Sequence, residues 1–499
     1  MTHARRAVNA IAWNAAGTGA RFAIQFTTGV LLARALGPGA FGVVAAAMVV
    51  IALGALVGEA GLGASLISAE APSEDDRVAA QSLQLALASL LMLALLLAAG
   101  PIERAYGIAG LGRVLRVLSL QFPLQALGTI GNVTLKRRMD FRSIQVAQVA
   151  SYTAGYAVVG MGGVAAGLGV WSLVAAQLTF VALNSALLLR RAGERVRLAP
   201  RWPRRELTAY GARVTGSNLG TWIATNIDVA VVGRLFGALV TGLYSRSAAL
   251  IAAPLALLIN LVQSVLFPAF AQARARGADL APPYLAACAL ALLCGAPAAA
   301  FVATHAGEIV ALLFGDAWRG AAPILAILGL TIVPQALTAL SIALLWGVGR
   351  ASSDLWGHGA AMGTFSVAFA AGVMTSPAAI AWVVVASGVL RAVVTFHAAA
   401  RELRFSPARV LGPLLAGAAL AGVAAAVPRL LHDAPAPTAG AMLARLVVDA
   451  AATVGVAMLA LVVRPRLVLG ADLAAVTGRV AATVASPGAR QVLARLAAS

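Results

Sequence analysis

The sequence predicts an all-α protein threaded many times through a lipid bilayer, and three observations predict it. Of 499 residues, 61% are hydrophobic and 11% charged, whereas a soluble globular chain carries about 25% charged residues. Such a chain cannot clothe a soluble core in polar surface, so most of its solvent must be lipid. Apolar runs of about 20 residues, each able to cross roughly 30 Å of hydrocarbon, recur from one end to the other. Alternation of apolar and polar residues over about 10 positions, the mark of an outer-membrane barrel strand, is absent. Ala, Gly and Leu abound, and small residues let helix backbones approach closely within a bilayer.

Fourteen spans are expected, at 9–33, 41–67, 78–100, 112–134, 145–163, 168–189, 207–233, 242–268, 281–304, 321–347, 356–374, 377–399, 410–428 and 440–463. Twelve is the alternative, should 410–463 pack differently. The first span follows Arg5 and Arg6 as a signal peptide would. Asn14, Arg21 and Gln25 interrupt it, however, and no short apolar core leads to a small-residue cleavage site. It reads as a retained helix.

Loop cations give the orientation. With the N-terminus in the cytoplasm, the inner segments hold Arg77, Lys136, Arg137, Arg138, Arg142, Arg274, Arg276, Arg350, Arg401, Arg404, Arg409 and the cluster Arg190 to Arg205. The outer segments hold Arg34, Arg104, Arg113, Arg116, Arg234, Arg319 and Arg429. Both termini are therefore expected in the cytoplasm. Glu74, Asp75 and Asp76 dissent on the inner side, but acidic residues count little in this rule.

The most basic connection, 190–206, contains Pro200 and Pro203 and reads as a linker between halves. It divides the chain into a six-helix lobe 1–189, the linker, a second six-helix lobe 207–399, two further helices in 400–463 and a cytoplasmic tail 464–499. The halves carry a faint repeat: Arg34, Gly37 and Gly42 recur as Arg234, Gly237 and Gly242, all offset by 200 without a gap. Six is even, so the halves share one orientation. Transporters are often built from such parallel repeats, with the substrate path between them.

The net charge of +19 does not indicate nucleic acid, because the cations punctuate apolar runs and gather on no soluble module. Lys136 is the lone lysine, which points to a bias of genome composition. Cys288 and Cys294 lie six apart in one apolar run, on different helix faces, and read as inert small residues without disulfide or metal. No histidine pair has metal-ligand spacing. A nucleophile elbow, a phosphate loop and a metal motif are all lacking, and no loop is long enough for a soluble catalytic domain. Glu308 and Asp316 stand as the acids of one outer loop and read as solvated, so paired carboxylates for glycosyl transfer are missing. No cofactor is expected.

The residues that could carry chemistry lie inside the spans. Asn14, Thr18, Arg21, Gln25 and Thr28 are spaced 4, 3, 4 and 3, which sets them on one face of the first helix. Arg21 is near mid-span, where a charge costs roughly 3 kcal/mol or more, so the stripe must face protein or water. The bland reading is a buried arginine bonded to carbonyls; the sharper one is a polar cavity lining. The seventh span presents Tyr210, Arg213, Ser217, Thr221, Thr225 and Asp228, with Thr221, Thr225 and Asp228 standing 200 after Arg21, Gln25 and Thr28. Glu59, Arg246 and Arg391 are further charges within spans. An Asp228–Arg246 ion pair at one depth is the structural alternative for both.

Several segments resemble the Wzx-type polysaccharide flippases of the multidrug/oligosaccharidyl-lipid/polysaccharide exporter superfamily. They are LARALGPGAFG at 32–42, LKRRMDFR at 135–142, GLGVWSLV at 167–174, DVAVVGRLFGALVTGLYSRSAAL at 228–250, FPAF at 267–270 and FGDAWRGAAPIL at 314–325. The likeness covers about 1–350; the last 150 residues match in hydropathy alone. It implies two six-helix lobes around a central cavity with alternating access. It also implies a lipid-linked oligosaccharide on undecaprenyl pyrophosphate, moved across a bacterial inner membrane. Under it, Arg34–Gly42 and Arg234–Gly242 are turn motifs and Lys136–Arg142 a cytoplasmic motif, as readily structural as substrate-contacting. No cavity residue transfers from the family, so Arg21 rests on spacing. The bilayer, polysaccharide polymerase machinery and H+ or Na+ as coupling ion are the implied partners, with no nucleic acid. A drug or small-molecule exporter of the same superfamily is the rival reading. A membrane polysaccharide polymerase or ligase is a third, opposed by the short outer loops.

Overall fold

A computed structural model describes residues 3–69, 72–199, 202–350, 353–431 and 438–463. Among the described residues every regular element is a helix. In chain order these are α1 (His3–Glu59), α2 (Leu62–Ser68), α3 (Glu74–Tyr106), α4 (Leu111–Leu118), α5 (Gln121–Arg137) and α6 (Phe141–Tyr152). A π-helical segment (Thr153–Gly160) joins α6 to α7 (Met161–Ala165), followed by α8 (Val170–Ala192) and α9 (Arg205–Ala275). Then come α10 (Ala281–Phe314), a 3₁₀ turn (Asp316–Ala321), α11 (Ala322–Gly329), α12 (Ile332–Gly347) and α13 (Ser353–Ala370). After them are α14 (Pro377–Leu403), a 3₁₀ turn (Pro407–Val410), α15 (Leu411–Leu431) and α16 (Ala439–Val463). The expected tail 464–499 lies outside the described residues.

Among the described residues, eight helices are long and apolar enough to cross a bilayer, or nine if the pair Asp316–Gly329 and Ile332–Gly347, bent by 43°, forms one span. The chain is thus a polytopic α-helical membrane protein; fourteen crossings stay a reading of the sequence. The counts differ where two expected spans share one kinked helix, as 9–33 and most of 41–67 do in α1, or where one span is broken, as 112–134 is between α4 and α5. Each element starts and stops for local reasons. Ser73 and Asp76 form a capping box on α3, with Asp76 N donating to Ser73 Oγ and Ser73 N donating to Asp76 Oδ2. Gly107 ends α3 in the left-handed conformation. Ser376 caps α14 by accepting from Ala379 N at 3.1 Å, with Pro377 at the first position.

The chain forms two compact units, Met1–Ser245 and Arg246–Ser499, and the division falls inside α9. In the first unit, Ala46, Ala47 and Ile51 of α1 pack against Ala88, Leu95 and Ala99 of α3, with Leu111, Leu115, Leu118, Phe122 and Val174 closing the core. Leu90, Leu93 and Leu97 of α3 point outward, spaced to form the lipid-facing stripe of that helix. In the second unit, Tyr284, Leu285 and Cys288 of α10 pack against Leu340 and Leu344 of α12 and Ala399, Ala400 and Phe405.

The repeat offset by 200 has a structural meaning. Gly37 and Gly237 both break their helices, at φ 71° and φ 74°, a region open to glycine at little cost. Just beyond, the two breaks meet. A Cβ on Gly42 would lie 1.6 Å from the Ala238 carbonyl oxygen, and one on Gly242 would lie 1.9 Å from the Pro38 carbonyl oxygen. Positions 38 and 238, like 42 and 242, are 200 apart. The contact is therefore reciprocal about a local two-fold, and both glycines are needed for the backbones to touch.

The basic segment 190–206 is not a free linker. Its described part is clasped to the start of α3: Arg77 pairs with Glu194, Arg197 with Glu74, and Arg204 with Asp76 at 3.2 Å. Ala199 N donates to Ser82 Oγ at 2.9 Å, and Thr134 Oγ1 donates to Glu194 at 2.9 Å. Glu74 and Asp76, two of the three acidic residues that dissented from the charge rule, are partners of this strap.

Candidate functional site

In the first unit, α1 meets α6 along a polar line. Gly17 makes the approach possible, because a Cβ there would come within 2.5 Å of the Gln145 side chain. One turn on, Arg21 Nη1 donates to Gln148 Oε1 at 2.8 Å. The sequence places Gln145, Gln148, Tyr152 and Tyr156 at steps of 3, 4 and 4, so they follow one another along α6 into the π-helical segment. Local π geometry often marks functional positions. Here it sets the Tyr156 ring over Tyr152, with centroids 4.5 Å apart, and Phe180 meets Tyr152 edge-on at 5.8 Å. Tyr156 donates from its hydroxyl to Gln177 Oε1 at 2.7 Å, and Gln177 Nε2 donates to Gln121 Oε1 at 3.0 Å. A guanidinium, a file of amides and stacked aromatic rings are thus assembled within an apolar unit. Guanidinium binds phosphate oxygens in a planar fork, while amides and ring faces suit sugar hydroxyls and sugar faces.

Of the other residues of the first stripe, Thr18 is half-buried and Gln25 exposed. Thr28 is buried and donates to the Ile24 carbonyl at 2.6 Å. The side chain of Asn14 lies outside the described residues. Glu59, the last residue of α1, is exposed and shares a recess of about 10 Å³, room for one water, with Gln84, Phe122 and Gln125.

Along α9, Tyr210, Arg213, Ser217, Thr221 and Thr225 are all exposed. Thr225 Oγ1 donates to the Thr221 carbonyl at 2.9 Å and Thr221 Oγ1 to that of Ser217 at 3.4 Å. Each of these two hydroxyls is satisfied within its helix and keeps accepting capacity on its open side. Asp228 is bonded within α9. Its Oδ2 accepts from the Tyr244 hydroxyl at 2.9 Å, and its Oδ1 from Val229 N at 2.8 Å. Tyr244 is fully buried, so this bond pins the turn region of α9 at the repeat motif.

In the second unit, Arg391 of α14 donates from Nη2 to Asp354 Oδ1 at 3.1 Å and lies 3.3 Å from His358 Nε2. The guanidinium is thus held by α13. The outer-loop reading of Glu308 is corrected: α10 runs on to Phe314, and Glu308 Oε1 accepts from Arg445 Nη1 of α16 at 3.0 Å. Asp316 is exposed, as expected of a solvated acid, and pairs with Arg319 at 2.9 Å.

The motifs that carried the family resemblance have mechanical roles. Arg137 Nη1 donates to the carbonyls of Leu66 at 2.8 Å and Ala69 at 2.7 Å, closing the end of α2. Arg138 Nη1 donates to the Ala192 carbonyl at 3.0 Å, closing α8. Cations at helix C-termini satisfy free carbonyls and the helix dipole. Arg142 lies 4.9 Å over the Trp13 ring. Trp318, 0% exposed, anchors the FGDAWRG segment, and Ser247 Oγ donates to the Ala321 carbonyl at 3.1 Å.

Comparison with known proteins agrees with this picture. Residues 31–323 match the family model described as "Polysaccharide biosynthesis protein". The chain is 27% identical to the succinoglycan biosynthesis transport protein ExoT of Rhizobium meliloti (strain 1021), over 71% of this chain and 72% of that one. It is 22% identical to the lipopolysaccharide biosynthesis protein WzxC of Escherichia coli (strain K12), over 66% of this chain and 67% of that one. Among solved structures, the lipid II flippase MurJ in an inward closed conformation superposes with a TM-score of 0.72 at 12% identity, covering 90% of this chain and 98% of MurJ. An inward-facing multidrug resistance MATE family transporter of the MOP superfamily gives 0.60 at 19% identity, over 77% and 94%. The fold is that of these transporters.

Proposed function

Because this chain belongs to the polysaccharide biosynthesis protein family, a family of membrane transporters and not of enzymes, we propose that it is a flippase for a lipid-linked oligosaccharide. The cargo is a repeat unit on undecaprenyl pyrophosphate. It passes from the cytoplasmic to the periplasmic leaflet of a bacterial inner membrane by alternating access, and both termini of the protein face the cytoplasm. A sugar chain and a pyrophosphate cannot cross hydrocarbon unaided. A protein that moves them must offer hydrogen bonds and positive charge at membrane depth while the lipid tail stays in the bilayer.

The observation that carries this reading is the line from Arg21 and Gln148 to Tyr152, Tyr156, Gln177 and Gln121. It joins phosphate-binding and sugar-binding chemistry inside one apolar unit. The exposed hydroxyls of Ser217, Thr221 and Thr225 with Arg213 supply a second polar face of the same kind. The transporter is driven by an ion gradient and works beside a polysaccharide polymerase. Its deletion is the test. Loss of one surface polysaccharide with unchanged drug susceptibility supports the reading; intact polysaccharide with altered drug susceptibility transfers it to the small-molecule exporters that share the MATE fold.

A further inference from the structure

The second unit holds a buried acid–base cluster that the cargo path does not use. His305 of α10 and Asp449 of α16 are 2% and 0% exposed, with Nε2 and Oδ2 2.9 Å apart. One turn away, Glu308 of α10 pairs with Arg445 of α16 at 3.0 Å. The site lies 9 residues before the end of α10 and 10 after the start of α16, about 15 Å inside both ends. Those are the ends that the loop charges place on the outer side.

The imidazole's other nitrogen bears on the proton count. His305 Nδ1 is 3.0 Å from the Phe301 carbonyl oxygen, which can only accept. It is also 3.0 Å from Thr304 Oγ1, whose own hydrogen has the Ala300 carbonyl at 2.9 Å and the Phe301 carbonyl at 3.1 Å as backbone acceptors. In the tautomer that gives the Phe301 carbonyl a donor, Nδ1 carries a hydrogen. Nε2 and Oδ2, in hydrogen-bond contact, must then share one more proton, as imidazolium with carboxylate or as imidazole with carboxylic acid. With that proton aboard, His305, Asp449, Glu308 and Arg445 sum to zero charge. Without it, two lone pairs face each other and the cluster is left at −1 in a low-dielectric interior, which favours separation of the helices.

Among the described residues, the other elements packed closely on α10 are α11, α12 and α15 and the two 3₁₀ turns. α11, α12 and residues 411–428 of α15 carry no titratable side chain. The 3₁₀ turns carry Asp316 and Arg319, which pair with each other in the open, and Arg409.

We infer that the His305–Asp449 pair is a proton-binding site that couples a proton gradient to transport. The bound proton fastens α16 to α10 and its release lets them part. This rests on the flippase reading. The test uses the full chain in proteoliposomes, with the lipid-linked oligosaccharide extracted from a strain lacking the protein as the probe. With one proton per cycle, a pH difference of one unit sustains up to about a tenfold leaflet asymmetry of the probe. Asp449→Asn and His305→Gln should abolish that asymmetry and keep gradient-independent equilibration within about twofold of wild type. The swapped double variant His305→Asp/Asp449→His keeps the shared proton and should regain asymmetry, which covers single variants that fail to fold. Folded single variants that lose both activities, a folded swap without asymmetry, or a wild type that moves the probe but ignores the pH gradient would each overturn the inference. A wild type that moves no probe would instead overturn the flippase reading.

Discussion

The crossing of the two repeat motifs permits a quantitative prediction. Gly42→Ala places a methyl group where the Ala238 carbonyl oxygen stands, 1.6 Å away, and Gly242→Ala does the same at 1.9 Å from the Pro38 carbonyl oxygen. To restore ordinary contact near 3.4 Å, the backbones must part by about 1.8 Å at the first site and about 1.5 Å at the second, forfeiting dispersion contacts along the seam. Neither neighbour is a flexible side chain tip, so each single variant should lose about 2–3 kcal/mol, the upper range for overpacking. Because the contact is reciprocal, one displacement relieves both clashes. The double variant should therefore lose much less than the two single losses added together, a coupling of about 1 kcal/mol or more between touching sites. Gly37→Ala, with nothing within 4 Å of its added Cβ, should lose about 1–3 kcal/mol through its backbone conformation alone, φ 71° with ψ 173°. The assay is reversible denaturant unfolding of the purified protein in bicelles, arranged as a double-mutant cycle. Additive losses at Gly42 and Gly242, or a Gly42→Ala protein as stable as wild type, would refute the reciprocal crossing.

Other predictions concern the site, the strap and the topology. Arg21→Ala should reduce polysaccharide export more than tenfold at normal membrane abundance, Arg21→Gln should behave alike, and Arg21→Lys should retain part of the activity because charge without the planar fork still attracts phosphate; loss of the protein itself in all three would assign Arg21 a structural role. Arg77→Ala removes the partner of a partly exposed Glu194, so stability should fall by only about 1 kcal/mol, while protease cleavage within 194–199 becomes faster; unchanged cleavage would deny the strap. Arg195→Cys and Arg319→Cys, both exposed, should label from opposite sides, only the second by an impermeant reagent in intact cells; labelling of both would reject the orientation.

Much of the architecture was legible because lipid imposes it. Apolar run length located the helices, and Gly37 and Gly237 marked breaks that the backbone confirms. The offset of 200 was visible in the sequence, but its cause was not, since the meeting of Gly42 with Ala238 and of Gly242 with Pro38 depends on how α1 crosses α9. The polar stripe of α1 was readable from spacing. Its partners were not: Gln148 is 127 residues from Arg21, and Tyr156, Gln177 and Gln121 become a relay only when α5, α8 and the π-helical segment pack. Charge alone misled at one place. Glu308 sat beyond the expected end of its span, yet the helix continues and pairs it with Arg445. The partners of Arg391 and Asp228, namely Asp354 on α13 and Tyr244 sixteen residues along α9, were not legible from charge alone. The dissent of Glu74 and Asp76 from the charge rule was the one sequence signal that pointed to the arginine strap.

The most direct test of the central claim is the leaflet position of the cargo. In spheroplasts of a deletion strain, lipid-linked repeat units should accumulate and resist an impermeant glycan-oxidising reagent, because they face the cytoplasm. Restoring the gene should expose them to the reagent. Repeat units equally exposed with and without this protein would contradict the assignment as a flippase.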